Sequence, residues 1–457
     1  MNDLLSAPSA INLELTDVCN VKCRHCYNFW REEGGQTSSL TRDKLDRFID
    51  IFVDAGVFHV VLTGGEPFTN FEVLEYGIKK LLANNISVSC NSNLMLNNEV
   101  RSKRLVDAGL DHILTSLNSH DPETNDYIVH QKGAYSKIIK GIEVAVRNGI
   151  RISVNMIVSE KNKDHVYETA KLCHNLGCQK IFGTRTVPSV NESNDGDTEF
   201  HLLRSDAIDT LEQLVRAKED TGIMIGTLVS YPLCFLSDLE RYKDFVGRGC
   251  PAQRGQVIGI NANGESHACV HESESYGNIF DIGIYKVYEN MQKWHNGSYR
   301  YKGCEGCRYI DVCQSGCRLF ARAYFGSLDQ KDILMQSKDS FSSHYEIVHD
   351  SHIYKMISNG LKFFVPKRLR FRKEEGFYLL NIRWANTIKV SNSIAEFLLK
   401  YRGSGETFDI NDFGIGNRET LARLFFKDVI ESKEAKYEDL RNKFGLSVDP
   451  VDLPLYS

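Results

Sequence analysis

The sequence has no excess of basic residues, and this argues against nucleic acid as its main partner. Its 457 residues carry 55 Lys and Arg against 60 Asp and Glu, which gives a formal net charge of -5. Proteins that bind nucleic acid usually present a strong, clustered positive charge. We therefore expect no nucleic-acid partner.

Long hydrophobic segments are also missing. No window approaches the ~18 uninterrupted apolar residues of a membrane-spanning helix, and the start "MNDLLSAPSAIN" lacks the cationic and apolar regions of a signal peptide. We expect a cytoplasmic protein without a membrane partner. Thiols stay reduced in that compartment, so the clustering of the 13 cysteines indicates metal binding rather than disulfides.

The first part of the chain alternates short β-type segments with amphipathic helical segments. The predicted strands are "INLEL", "HVVLT", "ISVSC", "HILTSL", "RISVNMIV" and "CQKIFGT", and the predicted helices lie near 42–55, 71–84, 98–108, 134–149 and 163–176. Repeated βα units indicate a parallel sheet covered by helices. Six strands are too few for an eightfold barrel, so we predict an α/β fold built on a partial (βα)6 barrel.

The length suggests about three domains, and the pattern of apolar and polar residues changes twice along the chain. We predict a barrel over 8–232, a loop-rich cysteine domain over 233–335 and a small α+β domain over 353–435. The middle segment has too little apolar periodicity for a large core, so a bound metal centre would have to stabilise it.

Three cysteines follow the first predicted strand. Cys19, Cys23 and Cys26 form a C-x3-C-x2-C arrangement, and the segments "TGGEPF", "NSNLM" and "SLNSHD" follow the next three strands. Loops at the carboxyl ends of parallel strands share one rim of the sheet, where active sites form. Three thiolates can bind three irons of a [4Fe-4S] cluster and leave the fourth open to a ligand.

This cysteine motif, followed by the aromatic Tyr27, resembles that of the radical S-adenosylmethionine (SAM) superfamily. The resemblance implies that SAM binds the open iron and that an electron from the cluster cleaves it to a 5'-deoxyadenosyl radical. It also implies an electron donor such as flavodoxin or ferredoxin. The SAM-binding residues implied by the family pattern are Tyr27, Gly64, Gly65, Glu66, Asn91, Asn93, Ser116 and Asn118.

The resemblance gives these residues different roles. Gly64, Gly65 and Glu66 correspond to the family's GGE motif, in which glycines let backbone carbonyls approach the SAM ammonium and the acid favours its charge. The chain departs from its relatives where they often have an arginine. Val129 occupies that position, so His130 or Lys132 is left as the candidate partner of the SAM carboxylate.

The later cysteines resemble the SPASM extension of the same superfamily. Thirteen residues separate Cys250 from Gly264 and four separate Gly264 from Cys269; a C-x2-C-x5-C-x3-C motif follows. The resemblance implies up to two auxiliary [4Fe-4S] clusters, one on Cys250, Cys269 and Cys317 and one on Cys304, Cys307 and Cys313. The final cysteine of the family pattern is missing, and Cys234 is a candidate extra ligand of the first cluster.

The last domain resembles the RiPP recognition element, a winged-helix-like domain that binds the leader of a precursor peptide by adding it to a sheet edge. The leading hypothesis is thus a radical SAM/SPASM enzyme that modifies a ribosomally made peptide by hydrogen abstraction. The product would be a thioether, a carbon-carbon or ether cross-link, or another oxidised residue. No general acid or base stands out in the sequence.

Two alternatives remain open. A sulfatase-maturing type of enzyme would oxidise a Cys or Ser of a protein substrate with the same chemistry and would need no leader-binding domain. A zinc-stabilised interaction module would have no catalysis, because C-x2-C and C-x3-C pairs also bind zinc. Outside the clusters, Cys90, Cys173 and Cys178 are predicted to be small buried side chains, and His267 and His271 are not predicted as ligands.

Overall fold

A computed structural model describes residues 4–26, 38–187, 204–245, 249–337, 351–383, 386–416 and 418–435, together with positions 200, 202, 340 and 341. The chain forms two compact units. The first comprises Ala7–Ser237 and Gly249–Ser340, and the second comprises Met1–Ser6, Asp238–Arg248 and Phe341–Ser457. The predicted barrel falls within the first unit, and so does the predicted cysteine domain apart from Asp238–Arg248. The boundary between the two therefore stays a prediction.

The described part of the first unit is built on a nine-stranded sheet with the order β7-β6-β5-β4-β3-β2-β1-β8-β9. Each pair from β7 to β8 is parallel, and only β8 and β9 pair antiparallel. The strands are β1 Ala10–Glu14, β2 His59–Thr63, β3 Ser87–Asn91, β4 His112–Ser116, β5 Arg151–Val158, β6 Lys180–Arg185, β7 Met224–Gly226, β8 Val257–Ile260 and β9 Ser266–His267.

Helices connect these strands. They are α1 Arg42–Asp54, α2 Phe71–Ala83, α3 Glu99–Asp107, α4 Pro122–Val129, α5 Ala134–Arg147, α6 Val166–Asn175 and α7 Arg204–Thr221. In α1 the buried side chains are Leu45, Phe48, Ile49 and Phe52, which form one apolar stripe at helical spacing. Thr41 starts this helix by accepting a hydrogen bond from the backbone of Lys44. The predicted parallel α/β sheet is confirmed.

The cysteine-rich part of the first unit has little regular structure. After β7, its helices are short, with four to twelve residues each: α8 Leu233–Leu236, α9 Ile279–Asn290, α10 Gln292–His295, α11 Ile310–Cys313 and α12 Arg318–Phe325. Strand β8 joins this part to the barrel by pairing with β1. Its cysteines therefore lie on turns and on the ends of short helices.

The second unit is a small α+β domain, as predicted. Its three-stranded antiparallel sheet has the order β10-β11-β12, so β10 and β12 are its edges. A buried apolar core lies among the sheet and its helices, and includes Phe363, Phe408 and Phe413. The elements are α13 Ser351–Ser358, β10 Arg370–Lys373, β11 Phe377–Arg383, β12 Asn386–Ser391, α14 Asn392–Tyr401, α15 Ile410–Phe413 and α16 Arg418–Phe426.

All six predicted barrel strands and all five predicted helices are present. The sequence prediction missed α4, α7 and the short strands β7 and β8. Helix α4 has only eight residues and too few apolar positions for a visible period, although Asp121 caps it and Pro122 occupies its first position. Among the described residues, no helix is both long and apolar enough to cross a membrane.

Candidate metal and cofactor site

The first three cysteines lie on a loop that the neighbouring segments hold by its backbone. Leu15 at the start of the loop donates to Thr63 of β2 at 2.8 Å and accepts from Leu40 at 2.8 Å. Asp17 accepts the backbone N–H of Ser38 through Oδ2 at 2.8 Å. Cys19, Cys23 and Cys26 are half-buried on this loop. Tyr27 lies outside the described residues.

Gly64 and Gly65 explain how the loop comes so close to β2. A Cβ on Gly65 would lie 2.1 Å from the carbonyl oxygen of Val18, and one on Gly64 would lie 2.2 Å from that of Thr16. Backbone hydrogen bonds run from Gly65 to Thr16 at 2.6 Å and from Glu66 to Val18 at 2.8 Å. The two glycines are thus required by the approach of the cysteine loop. Their predicted contact with SAM stays a prediction.

Glu66 is buried and holds the strand ends together. Its Oε1 accepts the backbone N–H of Phe68 at 3.0 Å and the hydroxyl of Ser92 at 2.7 Å, and its Oε2 accepts the backbone N–H of Asn93 at 2.8 Å. A carboxylate satisfied by such donors ties the loop after β2 to the loop after β3. The structure therefore gives Glu66 a positioning role that the sequence interpretation did not foresee.

Asn93 connects this network to the cysteine loop. Its Nδ2 donates to Oδ1 of Asn20 at 2.8 Å, and the same oxygen lies 3.8 Å from Sγ of Cys19. Asn91, the last residue of β3, is half-buried on the same rim. The structure thus brings the loops after β1, β2 and β3 together, as the strand-end argument expects.

The two residues predicted at the end of β4, Ser116 and Asn118, differ in their burial and hydrogen bonds. Ser116 ends β4 as a half-buried residue and lies in register with Asn155 of β5. Asn118 is buried, and its Oδ1 accepts the backbone N–H of Ile157 at 3.1 Å. Its carbonyl oxygen accepts from Asn162 Nδ2 at 2.7 Å. Asn118 therefore ties the loop after β4 to the end of β5.

Sequence reasoning missed Asn155. Its Oδ1 is buried and has no hydrogen-bond partner among the described residues, although most buried polar atoms are paired. It lies next to Ser116 at the end of the sheet where the cysteine loop also lies. An unpaired acceptor beside a half-buried serine fits a polar ligand such as a ribose. A polar residue inside the apolar stretch "RISVNMIV" was the available signal.

The cysteine loop also contacts helix α4. The backbone of Arg24 donates to the carbonyl of Ile128 at 3.0 Å, and its guanidinium lies 4.3 Å from the ring centroid of Tyr127. Burial lowers the pKa of His25 to about 4, so this imidazole is neutral near neutral pH. His130 and Lys132, the predicted alternatives to arginine, are exposed just after α4.

The later cysteines fall into two groups. In the first group, burial raises the pKa of the Cys269 thiol well above its ordinary value, and the charges of Cys250 and Cys317 raise it further. Sγ of Cys269 lies 3.8 Å from Nδ1 of His271. Burial likewise raises the pKa of Cys317 to about 11, with a contribution from Cys250. The three thiols are therefore close enough for their charges to interact.

The second group contains a cysteine that the sequence prediction placed elsewhere. Burial raises the pKa of Cys313 to about 12, and the charges of Cys234 and Cys304 add to the shift. The pKa of Cys234 is raised to about 11, first by burial and then by Cys304 and Cys307. The sequence prediction gave Cys234 as a candidate ligand of the first group, whereas the fold brings α8 against the turns that carry the second group. The cluster that Cys234 binds stays a prediction.

A buried ion pair stands beside the first group and was not visible in the sequence. Arg185, the last residue of β6, pairs with Asp332 through Nη2 and Oδ2 at 2.6 Å, and the two side chains are 2% and 0% exposed. The same Oδ2 accepts the backbone N–H of Cys317 at 2.9 Å. The guanidinium also lies 3.9 Å from the ring centroid of Phe320. The pair therefore fixes the position of Cys317 relative to the barrel.

Within the part of the chain that the structure describes, no three His, Cys, Asp or Glu residues are placed to hold one metal ion. The grouping of thiols, and the backbone N–H groups that donate to two of their sulfur atoms, fit the donor set of iron-sulfur clusters. Cys90, Cys173 and Cys178 are buried, as predicted.

Comparisons with known proteins match this site to a family. Residues 13–173 match the model of the Radical SAM superfamily. The GTP 3',8-cyclase of Aquifex aeolicus is 31% identical over 60% of this chain and 86% of its own length. The AdoMet-dependent heme synthase of Methanosarcina barkeri is 26% identical over 71% of this chain and 95% of its own. The subtilosin biosynthesis protein AlbA of Bacillus subtilis is 30% identical over 41% of each chain.

Solved structures show the same fold. Streptococcus suis SuiB bound to the precursor peptide SuiA superposes with a TM-score of 0.59 at 16% identity, over 73% of this chain and 77% of that one. The structure of anSMEcpe with bound AdoMet and a peptide gives a TM-score of 0.57 at 16% identity, over 71% and 93% of the two chains. The partial-barrel architecture is therefore that of these enzymes.

Proposed function

This chain belongs to the radical SAM superfamily, and from that premise we propose that it modifies a ribosomally synthesised precursor peptide. The observation that carries the proposal is the placement of Cys19, Cys23 and Cys26 on a loop held against Gly64 and Gly65 at the carboxyl end of the sheet. The members of this superfamily bind SAM and a [4Fe-4S] cluster, and these three thiolates are the ligands that we assign to that cluster.

When bound, the reduced cluster and SAM supply a 5'-deoxyadenosyl radical that abstracts hydrogen from the substrate. The residues of this chain orient the reactants. Asn93 holds the cysteine loop through Asn20, and Glu66 fixes the rim by joining two strand-end loops. We assign Ser116 and Asn155 to the polar edge of SAM, because Asn155 Oδ1 is buried without a partner among the described residues.

A peptide substrate is supported by the second unit. Its three-stranded antiparallel sheet ends in the edge strands β10 and β12. An extended peptide can pair with such an edge through main-chain hydrogen bonds. The named relatives point the same way, since SuiB was solved with a precursor peptide and AlbA is a bacteriocin biosynthesis protein. We propose that residues 353–435 bind the leader of the substrate.

The two later cysteine groups are the reason for proposing auxiliary clusters. Cys250, Cys269 and Cys317 would hold one cluster, and Cys304, Cys307 and Cys313 would supply ligands to another. If bound there, an auxiliary cluster would accept the electron that the substrate radical gives up when the new bond closes, or would hold the substrate. The product would be a thioether, a carbon-carbon or an ether cross-link. A low-potential donor such as flavodoxin or ferredoxin would supply the starting electron.

The test compares the wild type with the Cys19→Ala/Cys23→Ala/Cys26→Ala variant after anaerobic reconstitution. We expect the variant to lose about four irons, as one cluster requires, and all 5'-deoxyadenosine formation with dithionite. Cys173→Ala is the control, because this thiol is buried in α6 and is assigned to none of the three cysteine groups. A colourless wild type with stoichiometric zinc and no SAM cleavage would contradict the enzyme proposal.

The substrate is tested with short peptides encoded beside the gene. The full chain, SAM and a reductant should lower the mass of the correct peptide by the hydrogens lost in cross-linking. The same peptide without its leader should react much more slowly. Equal reaction of both forms would remove the leader-binding role of the second unit. Oxidation of a Cys or Ser in a protein substrate instead would favour the sulfatase-maturing alternative.

A further inference from the structure

The second cysteine group lacks a visible fourth ligand in the sequence pattern. Cys304, Cys307 and Cys313 supply three thiols, and no cysteine follows Cys317 in the chain. A fully ligated [4Fe-4S] cluster takes four thiolates. Within this sequence, a fourth thiolate would therefore come from a segment before Cys304.

Three contacts bring Cys234 to this group. The backbone N–H of Leu233 donates to Sγ of Cys313 at 3.4 Å, and the backbone N–H of Gln336 donates to Sγ of Cys234 at 3.3 Å. Sδ of Met335 lies 3.8 Å from Sγ of Cys304. Because Leu233 precedes Cys234 and Met335 precedes Gln336, these contacts hold Cys234 beside both ends of the C-x2-C-x5-C motif.

The local structure presents Cys234 to the group. It lies on α8, a single helical turn whose other side chains, Leu233, Phe235 and Leu236, are buried. The ring of Phe235 stacks on Tyr231 with centroids 5.8 Å apart. Cys234 itself is half-buried, and its carbonyl accepts the hydroxyl of Ser340 at 3.2 Å. Apolar packing thus fixes the turn while the thiol stays on its other side.

The electrostatics agree with the geometry. Several thiolates this close together would repel one another without a cation. Bound metal removes that cost, because it deprotonates its thiol ligands and compensates their charge.

We propose that Cys234 is the fourth thiolate of the second group and completes a [4Fe-4S] cluster with Cys304, Cys307 and Cys313. This inference rests on the proposed function, since it assumes that the chain carries iron-sulfur clusters. A cluster with four thiolates has no iron open to substrate. The substrate-binding role then falls to the first group, for which the described residues supply three cysteines, while the second cluster transfers electrons or stabilises the fold.

The test uses the full chain after anaerobic reconstitution. We expect Cys234→Ala and Cys313→Ala each to lose up to about four irons relative to wild type, as loss of one cluster requires. The electron paramagnetic resonance spectra of the two reduced variants should differ from wild type in the same way. Cys173→Ala should keep all its iron. An iron content and spectrum of Cys234→Ala identical to those of wild type would overturn the inference.

A second measurement needs no substitution and avoids variants that fail to fold. The thiols of the wild type are alkylated before and after cluster loading and are located by mass spectrometry. Loading should protect Cys234 together with Cys304, Cys307 and Cys313. Equal alkylation of Cys234 in both forms, with the other three protected, would overturn the inference and leave the proposed function intact. A wild type that binds no iron would instead defeat the proposed function itself.

Discussion

The loop after β1 and the segment 249–337 both carry cysteine groups, but they support them differently. Hydrogen bonds of the backbone to Thr63 and Ser38 and the close approach of Gly65 hold the first loop. Its three thiols remain half-buried at a sheet rim. The later thiols lie on turns between short helices, and burial raises the pKa of Cys269, Cys313 and Cys317.

This difference shows how each region acquires its order. The parallel sheet satisfies its own backbone groups, so the rim exists before any cofactor binds and can keep one iron position open. The later segment has few regular hydrogen bonds of that kind, and metal binding contributes folding free energy to such segments. If the proposed clusters form, we therefore expect loss of the first to abolish SAM cleavage, and loss of a later one to weaken the structure.

The largest effect is expected for the loop after β1. Gly65→Ala would place a methyl group 2.1 Å from the carbonyl oxygen of Val18 and push the cysteine loop away from β2. We expect loss of about four irons, as for one cluster, and of all 5'-deoxyadenosine formation, while any iron bound by the later cysteine groups remains. Iron analysis and a SAM-cleavage assay measure both.

Gly149→Ala is the matched control for this variant. Its φ of +87° makes a side chain unfavourable, but nothing lies within 4 Å of the added Cβ. The expected cost is about 1 kcal/mol of stability without loss of iron. If Gly65→Ala kept its iron and activity as Gly149→Ala does, the close approach would not be what positions the loop.

A smaller effect is expected where the end of strand β6 contacts the segment 249–337. Asp332→Asn removes the charge that pairs with the buried Arg185 and weakens the acceptor of the Cys317 N–H. Breaking a buried ion pair on one side costs about 3–5 kcal/mol, so the urea midpoint of the reconstituted protein should fall clearly.

The exposed pair of Arg151 and Asp111 offers the comparison for this change. Its atoms are 2.5 Å apart, but Asp111 is 59% exposed. Surface pairs contribute about 0–1 kcal/mol, so Asp111→Asn should change the urea midpoint little. Equal midpoints for the two variants would contradict the positioning role of Arg185 and Asp332.

The smallest effect concerns pH. Burial raises the pKa of Glu272 to about 8, against the lowering effect of Arg322. Between the ordinary pKa of a glutamate and pH 8, Glu272 keeps its proton in the folded state and releases it in the unfolded state. The free energy of unfolding therefore falls as pH rises towards 8. The free energy of unfolding of the wild type should fall by at most about 2 kcal/mol between about pH 6 and pH 7.5.

Glu272→Gln should flatten this dependence, because the amide does not titrate. Glu289→Gln is the control, since Glu289 is exposed and its charge is not among those that shift the pKa of Glu272. Chemical unfolding at several pH values measures the slope for each variant. A wild-type slope that Glu272→Gln leaves unchanged would show that another group causes it.

The regular part of the fold could be predicted because its signals are local. The alternation of apolar segments predicted β1 to β6, and the strand-end position of Cys19 predicted the rim of the sheet. Helix α4 and strand β7 were missed since eight and three residues carry too little periodicity. The small C-terminal α+β domain was also predicted, from its alternating strands and amphipathic helices.

Residue roles within the site were harder to predict. Glu66 and Asn118 were predicted to contact SAM, and these contacts stay predictions. What the sequence did not indicate is that their side chains join neighbouring strand-end loops. Arg185 and Asp332 are 147 residues apart in the chain, and no local pattern links them. For the same reason, no local pattern showed that the turn carrying Cys234 contacts Cys313.

The sequence by itself indicated the family of the chain, because the thiol spacing and the glycines after β2 are patterns of neighbouring residues. It also indicated which segments form β1 to β6, since each hydrophobic segment is local. Only the tertiary structure decided which thiols share a group, which carboxylate is buried and which acceptor is left unpaired. Those properties depend on contacts between segments far apart in the chain, and they form only when the sheet and the turns around it pack together.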